Sequence, residues 1–229
     1  MSNADSHLAL NDRNLALAIV LALQMWSHDR YQRFLCGRNS DLDAEWFQWF
    51  VSEWKVARTI RKGKLDEVRR YLDQDFRRAA TKDASGMAID VASSHIKASE
   101  WSAKLGKKKV PNLPISLVSK VGFFLRPSDF VPFDGFSLIG LNRIYRTIGT
   151  PKLKAPTYPQ YLSAFNEQFA TIAAQISASL NESWVSALAA KLGCPDGALK
   201  TGSLLRKVFD HYLMYSGGYL SNQPKQSSL

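Results

Sequence analysis

The sequence predicts an all-α protein, a compact bundle of roughly eight to nine helices, and three observations carry that expectation. Apolar residues recur at helical spacing along most of the chain, and no stretch sustains the alternation of a half-buried strand. Residues that cap or stop helices punctuate the pattern, with Asn11 or Asp12 ahead of the first apolar run, Gly37 behind it, and Gly63 and Gly149 behind later ones. No self-similar period of about 20 to 50 residues recurs, which argues against a repeat array. A chain of 229 residues, 45% of them hydrophobic, can bury a sizeable core. The expected organisation is a single helical domain over 11–220, flanked by a loose N-terminus, 1–10, and a loose tail, 221–229.

Taken in order, the first helix is expected from Asn11 or Asp12 to residue 35, where Gly37 stops it. Ser40 and the acidic turn of Asp41, Asp43 and Glu45 suit the positive end of a second helix reaching residue 60. Trp46, Trp49, Phe50 and Trp54 share one face of it, the spacing of a core stripe. A third helix is expected over 65–80, with Asp73 and Arg77 able to pair along it. Asp83 can cap a fourth helix reaching residue 101 or 105, with Met87, Val91 and Ile96 as its buried positions. An apolar segment over 115–125 ends at Arg126 and Pro127, and Asp134 stands as the N-cap of a helix over 135–148. Helices over 161–180, over 182–192 with Asn181 as cap, and over 203–215 complete the set.

The formal charge of +10 bears on the choice of partner, and nucleic acid is the commonest polyanion for such a chain. The most apolar run, 15–26, is about half of the ~20 residues that a membrane-spanning helix needs, and no basic leader precedes it. A cytoplasmic location is the resulting expectation. Cys36 and Cys194 are too few for an iron–sulfur cluster and lack zinc spacing. His7, His28, His95 and His211 are scattered without an i, i+4 pair, which reads as surface or capping histidines. No metal and no cofactor is expected.

One stretch, 111–143, combines an apolar helix carrying a single lysine, Lys120, with an aspartate, Asp134, at the next helix start. Basic residues surround it. Lys104, Lys107, Lys108 and Lys109 precede it, and Arg143 and Arg146 follow within a run free of acidic residues. These six are the candidate contacts to a phosphate backbone. Phe124, Phe133 and Phe136 are candidate walls of a base pocket by proximity in sequence.

Through LPISLVSKV and FVPFDGF the stretch resembles the helix-hairpin-helix DNA glycosylases, in particular their 8-oxoguanine DNA glycosylase-like branch, with the hairpin-like unit over 111–148. Ile115 and Leu117 stand where that hairpin carries glycines, and the connection from Lys120 to Asp134 is shorter than in the familiar enzymes. The resemblance implies a DNA glycosylase acting on a damaged or modified base. Lys120 would attack the sugar C1′ to give a Schiff base that can proceed to strand cleavage, and Asp134 would stabilise the cationic sugar. The implied partner is duplex DNA with the target base flipped out. A carboxylate ~4 Å from the developing charge gains ~4 kcal/mol at an effective dielectric of 20, close to a thousandfold in rate. The competing expectation is a glycosylase-like DNA-binding module, or subunit of a larger assembly, without catalysis.

Overall fold

Where the chain changes direction, it does so at residues whose chemistry ends helices, and the expected all-α class holds. The computed structural model describes residues 10–35, 41–56, 58, 60–83, 85–102 and 114–219. In order, the helices are α1 (Asp12–Ser27), α2 (Asp29–Leu35), α3 (Ala44–Glu53), α4 (Leu65–Tyr71), α5 (Arg77–Ala80), α6 (Met87–Ala98), α7 (Ile115–Leu125), α8 (Gly135–Thr147), α9 (Tyr158–Leu180), α10 (Ser183–Leu192) and α11 (Gly202–Ser216). A π-helical turn, Leu72–Phe76, joins α4 to α5, and a 3₁₀ turn, Ala198–Lys200, precedes α11. Among the described residues, the one extended pairing is an isolated antiparallel bridge between Ile60 and Ser102.

The contacts divide the chain into two units. The first comprises the described parts of Met1–Ser27 and Ala164–Leu229 together with Asp134–Ala155; the second comprises His28–Phe133 and Pro156–Ser163.

In the first unit α11 lies along both α1 and α8. Leu204, Val208, Phe209 and Leu213 of α11 are buried, as are Leu15, Ala18, Ile19, Ala22 and Leu23 of α1. At the α8/α11 crossing the backbones themselves meet. A Cβ added at Gly140 would collide with the Leu213 carbonyl, and one added at Gly217 would collide with the Phe136 carbonyl. Two glycines thus let the helices approach more closely than side chains would permit. The Asn11 N–H donates to Tyr212 Oη at 3.2 Å, and the Cys194 thiol contacts the Leu23 carbonyl at 3.4 Å.

In the second unit α7 is buried along its length, from Leu117 to Phe124. Phe124 is the hub of an aromatic cluster. It stacks on Tyr31 with ring centroids 5.1 Å apart and meets Trp46, Phe50 and Trp54 edge-on at 5.5, 5.6 and 5.7 Å. The stripe read as core from its spacing does pack as core, with Trp46 and Phe50 fully buried. Gly122 leaves room on α7 for Ile89, Phe130 and Phe76. Arg126 ends the helix and is held there by the Asp83 carbonyl at 3.2 Å and the Asp129 carboxylate at 2.8 Å. Tyr158 Oη donates to the Val131 carbonyl at 2.8 Å and accepts the Val131 N–H at 3.0 Å, which pins the connection after α7.

Several boundaries differ from the sequence expectation. The first helix breaks at His28, whose carbonyl and Nδ1 accept the N–H groups of Tyr31 and Arg30, so α1 and α2 are separate. The acidic turn holds its place, with Asp43 accepting the Trp46 N–H at 2.7 Å, but α3 ends at Glu53 and Lys55 takes a left-handed φ of 51°. On α6 the expected faces are corrected: Met87 and Val91 are 62% and 64% exposed, while Ala88, Ile89, Ala92, Ser93 and Ile96 are buried. The face that packs carries Ile89 and Ile96 among three small residues, and Asp90 on the same helix turns toward the α9 N-terminus and accepts the Tyr158 N–H at 3.1 Å. Glu182, not Asn181, precedes α10, because the Asn181 N–H still bonds back to the Ser177 carbonyl of α9. Thr201 caps α11 through the Leu204 N–H at 3.3 Å, and the helix starts at Gly202, one residue before the expected start.

Candidate functional site

Helix α7 has the boundaries its sequence predicts, since Pro114 can enter a first turn and Arg126 closes the last. That register turns Lys120 inward. The residue is 8% exposed, and its Nζ lies 5.3 Å from the centroid of the Trp54 ring, within cation–π range. Lys120 therefore sits against the aromatic cluster, where a snorkelling surface lysine would not. Burial pushes the neighbouring Tyr31 phenol well up, and that hydroxyl accepts the Trp54 indole N–H at 2.6 Å.

The connection returns to α7 one residue ahead of this lysine. Ser119 is fully buried, and its Oγ accepts the Phe133 N–H at 3.0 Å. Phe133 also meets Tyr161 edge-on, with centroids 4.7 Å apart. The next residue in the chain, Asp134, opens α8 in extended conformation and accepts the Ser137 N–H at 2.8 Å, the N-cap role expected of it.

A polar cluster lies behind Asp134 in the first unit. Ser137 donates its hydroxyl to Asp210 Oδ1 at 3.0 Å, and Lys207 Nζ donates to Asp210 Oδ2 at 2.5 Å. The side chains of Lys207 and Asp210 are both fully buried. Burial raises the Asp210 carboxyl above the usual carboxylate range, Lys207 counters that shift, and Asp134 adds to it by repulsion. His211 is buried on the same helix with both ring nitrogens unpartnered, and desolvation, reinforced by the Lys207 charge, holds it well below its ordinary value. This corrects the expectation of a surface or capping histidine. His28 does cap α2, and His95 is exposed and stacked on Tyr71 at 4.5 Å.

The other sequence candidates fall in different settings. Phe124 is 1% exposed and belongs wholly to the aromatic core. Phe136 is half-buried against Tyr219, at 5.5 Å between centroids. Arg143 and Arg146 are exposed on α8, and the Arg143 guanidinium donates to the Ser216 carbonyl at the end of α11. Lys104, Lys107, Lys108, Lys109 and Cys36 lie outside the described residues. Among the described residues no group of His, Cys, Asp and Glu could hold a metal ion, and no helix is long and apolar enough to cross a membrane.

The cluster of Ser137, Lys207, Asp210 and His211 was missed from sequence, although a signal for it exists. Lys207 and His211 fall on the same stripe as Leu204 and Val208, so a helix packed on two sides must bury them. Comparison with protein-family models, with curated protein sequences and with solved structures finds no match to the chain.

Proposed function

We propose that the chain is a DNA glycosylase that excises a damaged or modified base, with Lys120 supplying the nucleophilic amine and Asp134 the carboxylate. The observation that carries this reading is the burial of Lys120 on α7 against Trp54. A lysine amine reacts only after losing its proton and its water shell, and an aromatic, largely dry setting strips that shell. Asp134 owes its part to its order in the sequence, at the helix start that follows Lys120. In the reaction the amine attacks C1′ as the glycosidic bond breaks, the carboxylate offsets the charge that develops on the sugar, and the base departs with the bonding electrons. In the resulting aminal-type adduct the lysine nitrogen gives up a proton, the C1′–O4′ bond breaks as the nitrogen lone pair forms the C=N bond, and O4′ takes up the proton; the ring-opened Schiff base can then proceed to strand cleavage. The net charge of +10 and the exposed Arg143 and Arg146 support DNA as the partner.

Borohydride trapping on oligonucleotides carrying a panel of modified bases tests the proposal. The expected result is a covalent adduct with the wild-type chain and none with Lys120→Gln. Failure of cleavage and trapping across the panel sinks the proposal. Ile115 and Leu117, the latter 1% exposed, favour a second reading, because close approach of backbone to a phosphate needs positions without side chains. On that reading the chain binds DNA without cleaving it, and Lys120→Gln leaves the affinity unchanged.

A further inference from the structure

The ring that meets Lys120 belongs to the last residue before a basic loop. Trp54 closes α3 with its ring centroid 5.3 Å from the Lys120 Nζ. Beyond it no acidic residue falls before Asp66, while Lys55, Arg58, Arg61, Lys62 and Lys64 do. Lys55, Arg58, Arg61 and Lys62 are exposed. We propose that these four cations form a docking surface for the phosphate backbone of nucleic acid, beginning one residue past the ring that meets Lys120.

Four observations set this loop apart from an ordinary solvated face. First, the acids that follow it are already taken. The Lys64 ammonium lies 2.9 Å from Glu67 and 2.8 Å from Glu100, and Asp66 holds Arg69 at 2.7 Å and Arg70 at 3.2 Å. Among the described residues none of the four proposed cations has an ion pair, and over 53–64 the single carboxylate is that of Glu53. Second, Lys55 stands in a left-handed conformation, with φ at 51°. The N–H groups of Lys55 and Val56 return to the Ser52 and Val51 carbonyls at 3.1 Å each, a helix closure in which that position is ordinarily glycine. Glycine adopts the conformation without the steric cost a lysine meets. The helix dipole favours a cation at Lys55, but it fades within the last turn and does not account for Arg58, Arg61 or Lys62. Third, the loop is fastened. Ile60 is buried and bridges to Ser102, and the Arg61 N–H donates to the Trp101 carbonyl at 2.6 Å, so Arg61 and Lys62 are carried on a fixed turn. Cations already in place lose less freedom on binding. Fourth, Val56 and Ile60 turn inward, at 7% and 8% exposed, so the loop offers charge without the apolar side chains that a membrane or a protein partner would use. A row of phosphates needs charge alone.

That the docked strand is thereby brought to Lys120 rests on the glycosylase reading, whereas docking itself does not. Fluorescence anisotropy of the full chain with a labelled duplex of unmodified bases, at several salt concentrations, is the test. Lys55→Gly is expected to unfold no lower in temperature than the wild type, since glycine suits the left-handed position, yet to reduce the slope of log affinity against log salt by about one. Arg58→Gln/Arg61→Gln/Lys62→Gln, confined to exposed side chains, is expected to reduce it by about three. Lys191→Gln removes an exposed cation on α10 and is expected to leave the slope unchanged. Unchanged slopes in the loop variants overturn the proposal, and so does an equal loss per charge in Lys191→Gln, which would mean that net charge alone governs binding. Weakening confined to phosphatidylserine vesicles or to polyglutamate overturns it as well. Loss of duplex binding in the loop variants of a chain that traps no modified base upholds docking and sinks excision. Trapping that persists beside undiminished duplex affinity in those variants does the reverse.

Discussion

The hydroxyl of Ser119 accepts the backbone N–H of Phe133 at 3.0 Å, so the chain leaving α7 is fastened back onto α7 before α8 begins. Ser119→Ala leaves that N–H without its partner in a half-buried setting. The expected cost is about 1–3 kcal/mol, read from urea denaturation. Ser119→Thr, which keeps a hydroxyl, should lose less.

The α8/α11 crossing leads to a second expectation. Gly140→Ala and Gly217→Ala each place a methyl group against a backbone carbonyl, which cannot rotate aside. Each should cost about 1–3 kcal/mol or more by thermal or chemical denaturation. Because both act on one crossing, their effects should fail to add, the second costing less once the first has pushed the helices apart.

Stability should also depend on pH through His211. Its folded-state value lies well below the ordinary ~6.5, so the unfolded chain takes up a proton that the folded chain refuses. The contribution of neutral His211 is therefore complete above about pH 6.5 and shrinks as pH falls, by at most ~1.4 kcal/mol per pH unit. Asp210 acts in the opposite sense, because its carboxyl is raised on folding. Its burial costs stability as pH rises from about 3.9 through its folded value and costs nothing below that. Denaturation between about pH 7 and 5 should show the falling limb, and His211→Leu should flatten it.

For DNA binding, Arg146 is the informative position, because it is exposed near the end of α8 in a stretch free of acidic residues. Arg146→Gln should weaken binding of any duplex and reduce the slope of log affinity against log salt by about one. Arg143→Gln should do the same and also lower stability, since its guanidinium serves the Ser216 carbonyl. Fluorescence anisotropy at several salt concentrations separates the two.

What the sequence revealed follows from what is local. Pro114, Arg126 and Asp134 act within a turn of themselves, and the limits of α7 and the cap of α8 could be read from them. The stripe of Trp46, Phe50 and Trp54 announced its core face by spacing alone. The break at His28 was hidden because apolar residues continue across it, so periodicity carries no mark there. Met87 and Val91 misled because an apolar side chain is free to remain in water when another face, here that of Ile89, Ala92 and Ile96, takes the core. The junction at Ser137 depends on Asp210, far along the chain, and on glycines that permit the contact. Neither leaves a local trace at Ser137.

The π-helical turn has a consequence of its own. Val68, Leu72, Phe76 and Ala80 are all buried, at a strict interval of four residues. At ~3.6 residues per turn that interval winds slowly around a regular helix, and the last of the four would swing away from the first. The wider turn at Leu72–Phe76 takes up the accumulated rotation, so four side chains form a straight seam. Removing a single residue from that turn would tighten it to ordinary pitch and rotate everything downstream, including Arg77 and its ion pair with Asp73. The segment tolerates substitution on its outer face but has no freedom of length.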